Sequence, residues 1–240
     1  MLTCSRLDAS NKSLSEPLAL GTDNLIADSI AEALAFNLNP VPTTQSIIRQ
    51  VESSQSMNHP KPTPADLLAA VTRTVKDVIT HDLSVLFCGI NPGLYSAFTG
   101  HHFARPGNRF WPALHAGGFT NRQLHPSEKS ELLKGSYGLT NLVKRATARS
   151  DELTADELVA GGKTLKAKIK RYRPRYIAVL GVVAYRDAFK RPLARLGLQE
   201  EAIGETKVWV LPNPSGLNAH YQARDLAKLF RELREAAGSE

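Results

Sequence analysis

Three short, unbroken apolar runs constrain this chain more than any other feature: Ser84–Ile90, Tyr176–Gly181 and Lys207–Leu211. Each is long enough for a β-strand and too short for a helix, and none alternates as a strand with one wet face would. All three are therefore expected to be buried on both faces. Helix-compatible patterns separate and follow them, at Asp66–Ile79, Asn108–Ala116, Pro126–Lys134, Asp156–Arg173, Ala184–Leu196 and Ala219–Ala237. Strands alternating with helices predict an α/β fold, an open and mostly parallel sheet flanked by helices. No internal repeat is visible, and no run approaches the ~20 apolar residues of a membrane span.

At 240 residues the chain suits one domain with an appended segment. Charge divides it the same way: residues 1–64 hold four basic and six acidic side chains, so all of the net +7 lies in residues 65–240, with the patterned core. Residues 1–64 are rich in Ser, Thr, Asn, Gln and Pro, and read as a largely disordered extension or linker with one helix-like segment, Asn24–Phe36. They resemble neither a secretory signal nor a transit peptide. Met57 stands just before the Pro-rich approach to the patterned region, so the first 56 residues are expected to be dispensable, or to precede the true start. Cys4 and Cys88 cannot build a disulfide framework, an iron–sulfur cluster or a four-cysteine zinc site, and a reducing cytoplasm is the expected compartment. The excess of positive charge suits a polyanion. Seven basic residues between Lys163 and Arg175, with no acid among them, read either as a solvated helix face or as a phosphate-facing patch.

In open α/β sheets, ligands collect where the strands end and the topology switches. Here the first run ends Gly89-Ile-Asn-Pro-Gly93, and the last leads into Pro212-Asn-Pro-Ser-Gly-Leu217. Proline cannot continue a ladder, and glycine allows close backbone approach. Two matching Asn-Pro turns after separate buried strands point to a polar, nucleotide-sized site at one sheet edge. Adjacent imidazoles on an extended segment point apart, so His101-His102 is not expected to bind a metal, and no cofactor is expected.

Five strings then occur in order: Val85–Leu94, Thr99-Gly-His-His-Phe103, Pro106-Gly-Asn-Arg-Phe-Trp111, Gly138-Leu-Thr-Asn-Leu-Val143 and Leu211–Leu217. Over about residues 70–235 the chain resembles the mismatch-specific uracil-DNA glycosylase and thymine-DNA glycosylase family. Residues 1–64 have no counterpart in it. The resemblance implies a uracil-DNA glycosylase fold that removes uracil, and often thymine or damaged pyrimidines, from mispairs with guanine, with double-stranded DNA carrying G:U or G:T mispairs as the partner. A monomer is expected, since no coiled-coil or repeat signal is present.

By that resemblance Asn91 holds the attacking water, and the main chain at Ile90 contacts the base. Phe103 stacks on the flipped base; His102 either bonds near the water or the base or is an ordinary surface or capping histidine, and an amide at Asn141 can face the O4 or N3 edge of a pyrimidine. Leu217 is the apolar wedge that replaces the extruded nucleotide, with Ser215, Gly216 and Asn218 contacting phosphate and the widowed guanine. A helix starting near Ala219 would offer its N-terminus to a phosphate, and Lys144, Arg145 and Arg149 either add phosphate contacts or lie on a solvated loop. Phe110 and Trp111 belong to the core.

Departures bear on substrate choice: Asn141 stands where the bacterial branch commonly has Lys, Asn218-Ala219 replaces Ser-Arg after the wedge, and Tyr95 is bulkier than the usual residue. The expected activity is that of a monofunctional glycosylase, with no lysine in the catalytic motifs for a Schiff base. Alternatives are a catalytically weak DNA-damage-binding module on the same scaffold and a nucleoside hydrolase using the same strand-end site. A thiol enzyme is disfavoured, because Cys88 lies mid-strand.

Overall fold

The computed structural model describes residues 61–238. The expectations for residues 1–60, including the Asn24–Phe36 helix and a start at Met57, lie outside the described residues. Four strands run parallel, β1 (Val85–Gly89), β2 (Tyr137–Asn141), β3 (Tyr176–Leu180) and β5 (Lys207–Leu211), and the two-residue β4 (Gly197–Leu198) pairs antiparallel with β5. The sheet order is β2-β1-β3-β5-β4. The chain leaves β1 for one neighbour and later returns to its other side at β3, so the switch point lies between these two strands. All residues of β1 and β3 are buried, as unbroken apolar runs require.

Alternation along the strands feeds two separate cores. Val85 and Phe87 face one side, where they meet Phe110 and Leu114 of α3 (Phe110–Ala116) and Leu226, Phe230 and Leu233 of α6 (Ala223–Gly238). Phe87 packs edge-on to Phe110 and Phe119 and stacked with Phe230. Leu86 and Cys88 face the other side, against Leu158, Leu165 and Ile169 of α4 (Ala155–Tyr172) and Ala184, Tyr185 and Ala188 of α5 (Val182–Phe189). Two short helices, α1 (Pro64–Ala69) and α2 (Leu94–Thr99), lie before and after β1. Thr63 and Asp66 close a capping box at the start of α1.

Several boundaries differ from the sequence expectation. The Asp66–Ile79 pattern stays helical only to Thr72. Beyond it the β-branched Thr74, Val75, Val78 and Ile79 favour extended backbone, and Val78 exchanges two 2.8 Å hydrogen bonds with Leu139 of β2. α5 stops at Phe189 rather than Leu196, because Lys190 turns left-handed at φ 57° and Pro192 follows. Pro126–Gly135 is a 3₁₀ helix. β2 has no unbroken apolar run to announce it, and Gly138 serves a neighbour: a Cβ there would lie 2.6 Å from the Val78 carbonyl.

Glycines also set how closely α4 sits. A Cβ on Gly161 would lie 2.6 Å from the Leu142 carbonyl, and one on Gly162 would lie 2.5 Å from the Ala188 carbonyl. Backbone cannot step aside as a side chain can. Gly162→Ala is therefore expected to destabilise the protein by about 1–3 kcal/mol, in spite of alanine's better helix propensity. A lower urea midpoint with unchanged m value is the result to look for.

Candidate active site

The loops that leave β1, β2 and β5 converge with the end of β3 around a cavity of about 1000 Å³ at the C-terminal edge of the sheet. Gly89, Ile90, Asn91, Phe103, Asn141, Ser215, Leu217 and Asn218 all line it, together with Tyr95, Arg105 and Thr147. The position is the one the topology favours. Lys61 and Pro62 form part of its wall.

Asn91 is oriented without ambiguity. Its Nδ2 donates to the Arg145 carbonyl at 2.9 Å and to Thr147 Oγ1 at 2.7 Å. A carbonyl can only accept, so the nitrogen must face Arg145. Both amide protons are engaged and Oδ1 is left as the open acceptor. Thr147 is itself buried and carries no signal in the sequence, where it stands between two alanines. The 143–147 segment is held beside the first turn by main-chain bonds from Val143 N–H to Ile90 O and from Thr147 N–H to Pro92 O.

Gly89 is the hinge of the packing below the cavity. A Cβ there would lie 2.6 Å from Asn141 Oδ1 and 3.1 Å from the Phe103 ring, so only glycine lets both approach the end of β1. Phe103 adopts a left-handed φ of 54°, a conformation that costs a non-glycine residue about 1–2 kcal/mol. Neighbouring bonds hold it there: Trp111 Nε1 donates to the His102 carbonyl at 3.1 Å, and the Ala104 N–H donates to Ser96 Oγ at 3.1 Å. One face of the Phe103 ring stacks on Phe110, with centroids 4.1 Å apart. Phe110 and Trp111 are buried, as expected.

His102 sits differently from its expected place. It is buried at 2% exposure and does not line the cavity. Its Nε2 donates to the Lys76 carbonyl at 3.0 Å, which leaves Nδ1 as an acceptor facing Asn141 Nδ2 at 3.5 Å. Burial pushes its pKa down to about 4, so the ring is neutral at pH 7. His102 thus stands behind Asn141, and its contact is with that amide. The same Lys76–Val78 segment is anchored by an ion pair between Asp77 and Lys168 at 2.6 Å, and both side chains bond the Thr140 hydroxyl.

The loop after β5 closes on itself. Asn213 Oδ1 accepts from Ser215 N–H at 3.0 Å, and Ser215 Oγ accepts from Leu217 N–H at 3.3 Å. Asn218 Nδ2 donates to the Asn213 carbonyl at 2.9 Å and its Oδ1 accepts from His220 N–H, so that amide is engaged within the loop. Gly216 lies against Gly107 and does not line the cavity. Leu217 projects at the tip, 65% exposed. The helix expected near Ala219 begins at Ala223, since residues 219–222 are irregular with a bend at His220 and Tyr221, and Asp225 Oδ2 accepts from Gln222 N–H at its start. That carboxylate takes one of the donors at the start of the helix.

Charge at the rim is largely paired. Arg145 is held by Glu157 through two bonds and Arg149 by Asp151, while Lys144 is exposed. Asp151 is the one carboxylate among the described lining residues, and its bond to Arg149 holds it below the usual carboxylate range. In the basic run of α4, Lys168 turns inward to Asp77 and Lys163, Lys166, Lys170 and Arg171 lie exposed. The end of that helix is tied to Asp82, before β1, at the sheet edge opposite the cavity. Among the described residues no three His, Cys, Asp or Glu side chains gather as a metal-ion site.

An open α/β sheet with a cavity at its switch point, lined by two amides and an aromatic ring, has the shape and polarity to grip a flat polar group. The chain belongs to the uracil DNA glycosylase superfamily, whose profile matches residues 76–236. Members of that superfamily are DNA glycosylases, so DNA is the partner and hydrolysis of a base–sugar bond the class of reaction. Among solved structures, the solution NMR structure of a Methanosarcina acetivorans protein provisionally described as a uracil DNA glycosylase is 21% identical. The match covers 68% of this chain and 98% of that one, with a TM-score of 0.45.

Proposed function

We propose that the chain removes uracil, and with it thymine or damaged pyrimidines, from mispairs with guanine, as a monofunctional glycosylase of the mismatch-specific uracil and thymine branch. The orientation of Asn91 carries this reading. A neutral amide whose two protons are taken by Arg145 and Thr147 offers one acceptor to a water and is too weak a base to deprotonate it. Such a site suits a dissociative cleavage in which the base departs first and water adds to an oxocarbenium-like sugar.

Phe103 would hold the flipped base on the face that Phe110 leaves open, and the Asn141 amide would read its edge. Flipping costs a few kcal/mol and costs less at a mispair, which favours mismatched substrates before any contact is made. Leu217 would fill the space the base vacates. Tyr95 in the cavity wall and the loss of an arginine after the wedge are the features of this chain that bear on thymine and on the opposite base.

The test is single-turnover cleavage of labelled duplexes containing G:U, G:T and A:U, and of single-stranded uracil, over a range of salt. The reading expects G:U to be cleaved fastest, with binding that weakens steeply as salt rises. Activity on free nucleosides with little salt dependence would favour a nucleoside hydrolase. Binding of abasic DNA with no release of any base would favour a damage-binding module.

A further inference from the structure

A loop that presents a bare leucine to solvent must be held by something other than burial of its tip. In the 213–221 loop the holding bonds converge on one side chain outside it. Arg109 Nη2 donates to the carbonyls of Ser215 and Asn218, each at 2.6 Å, and Nη1 donates to the carbonyl of Tyr221. Its main-chain N–H donates to Pro214 O at 2.9 Å. Three carbonyl dipoles aimed at one point repel each other, and a guanidinium is the group whose charge and forked donors make that convergence favourable. The base of the clamp is rigid, because Arg109 directly precedes the buried Phe110 and Trp111 of α3. Beside it Gly216 meets Gly107 so closely that a Cβ would lie 2.6 Å from the Gly107 carbonyl.

We propose that Arg109 is the positioning residue of the penetrating loop: it fixes residues 213–221 so that Leu217 projects from the rim of the cavity. The side chain lines no part of the cavity, so its effect passes through the loop. That Leu217 enters DNA rests on the function proposed above; that Arg109 orders the loop does not.

Two readouts separate these statements, using the full chain with Arg109→Gln, Arg109→Lys, Leu217→Ala and the Arg109→Gln/Leu217→Ala double variant. Hydrogen exchange reads the loop directly, since the N–H groups of Ser215, Leu217, Asn218 and His220 are all bonded. Exchange over residues 213–221 is expected to quicken by about 10-fold or more in Arg109→Gln, with the sheet unchanged. Excision from a G:U duplex is expected to fall by about 10- to 100-fold, and from single-stranded uracil, which has no stack to open, by less than about 3-fold. In the Leu217→Ala background the same change should cost less than about 3-fold, because the wedge it positions is already gone.

Unchanged exchange, equal losses on both substrates, or a full multiplicative loss in the double variant would overturn the proposal. Should Arg109→Gln fail to fold, Arg109→Lys carries the same arms, since an ammonium keeps the charge and loses the fork. Should the unaltered protein release no uracil from either substrate, the proposed function fails and exchange alone decides the role of Arg109.

Discussion

Asn91→Ala is expected to lower single-turnover release of uracil by about 10²- to 10³-fold while affinity for abasic DNA stays within about 3-fold. The amide is the one cavity group whose both donors are fixed by the protein, at Arg145 and Thr147, so that its remaining acceptor is aimed before substrate arrives. Removing it takes away a pre-oriented partner for water and leaves the stacking ring, the base-edge amide and the loop in place. Asn91→Asp is the sharper companion. It sets a carboxylate oxygen against the Arg145 carbonyl, so the side chain must turn away from its present geometry. Excision undiminished in both variants would mean that water is held elsewhere, and the assignment of Asn91 would fail.

Acid is expected to destabilise the fold by about 3 kcal/mol between pH 6.5 and pH 4 through His102 alone. Burial depresses its folded pKa to about 4 from an ordinary value of 6.5. In this window the unfolded chain binds the proton and the folded one does not, so stability is full above 6.5 and falls as pH drops toward 4. Glu128 and Glu157, held near 2 by bonds from Arg122 and Arg145, start to lose their contribution only as pH falls below 4.5, so they add to the loss at the acid end of this window alone. Urea unfolding at pH 7, 5.5 and 4.5 measures the loss, and His102→Gln should flatten it. Equal slopes in the two proteins would show that another group titrates. The consequence reaches the site as well: a protonated ring turns Nδ1 from acceptor to donor, and Asn141 must then reverse its amide.

The strands at the centre of the sheet were legible because burial on both faces leaves a one-dimensional trace, an unbroken apolar run. β2 was not, because Gly138, Thr140 and Asn141 each answer to a partner far along the chain: the Val78 carbonyl, the Asp77–Lys168 pair and the Gly89 backbone. The extended 73–80 segment was misjudged for the same reason, its backbone bonds being made to Leu139. Within the site, Asn91, Phe103, Asn141 and Leu217 could be nominated from motifs. Thr147 and Arg109 could not, since their work lies in a bond to a residue 56 positions away and in bonds spanning 106 and 109 positions.

Taken alone, the order of buried strands and helices determined the α/β class, the sheet edge where a ligand must sit and the residue types gathered there. Those follow from periodicity and turn chemistry, which act over a few residues. Tertiary structure alone decided which way each amide faces, that His102 stands behind the cavity wall and remains neutral, that Arg145 and Arg149 are bound to carboxylates, and that one guanidinium gathers the loop bearing Leu217. Hydrogen-bond direction, desolvation and ion pairing depend on partners brought together by the fold, and no local pattern in the chain records them.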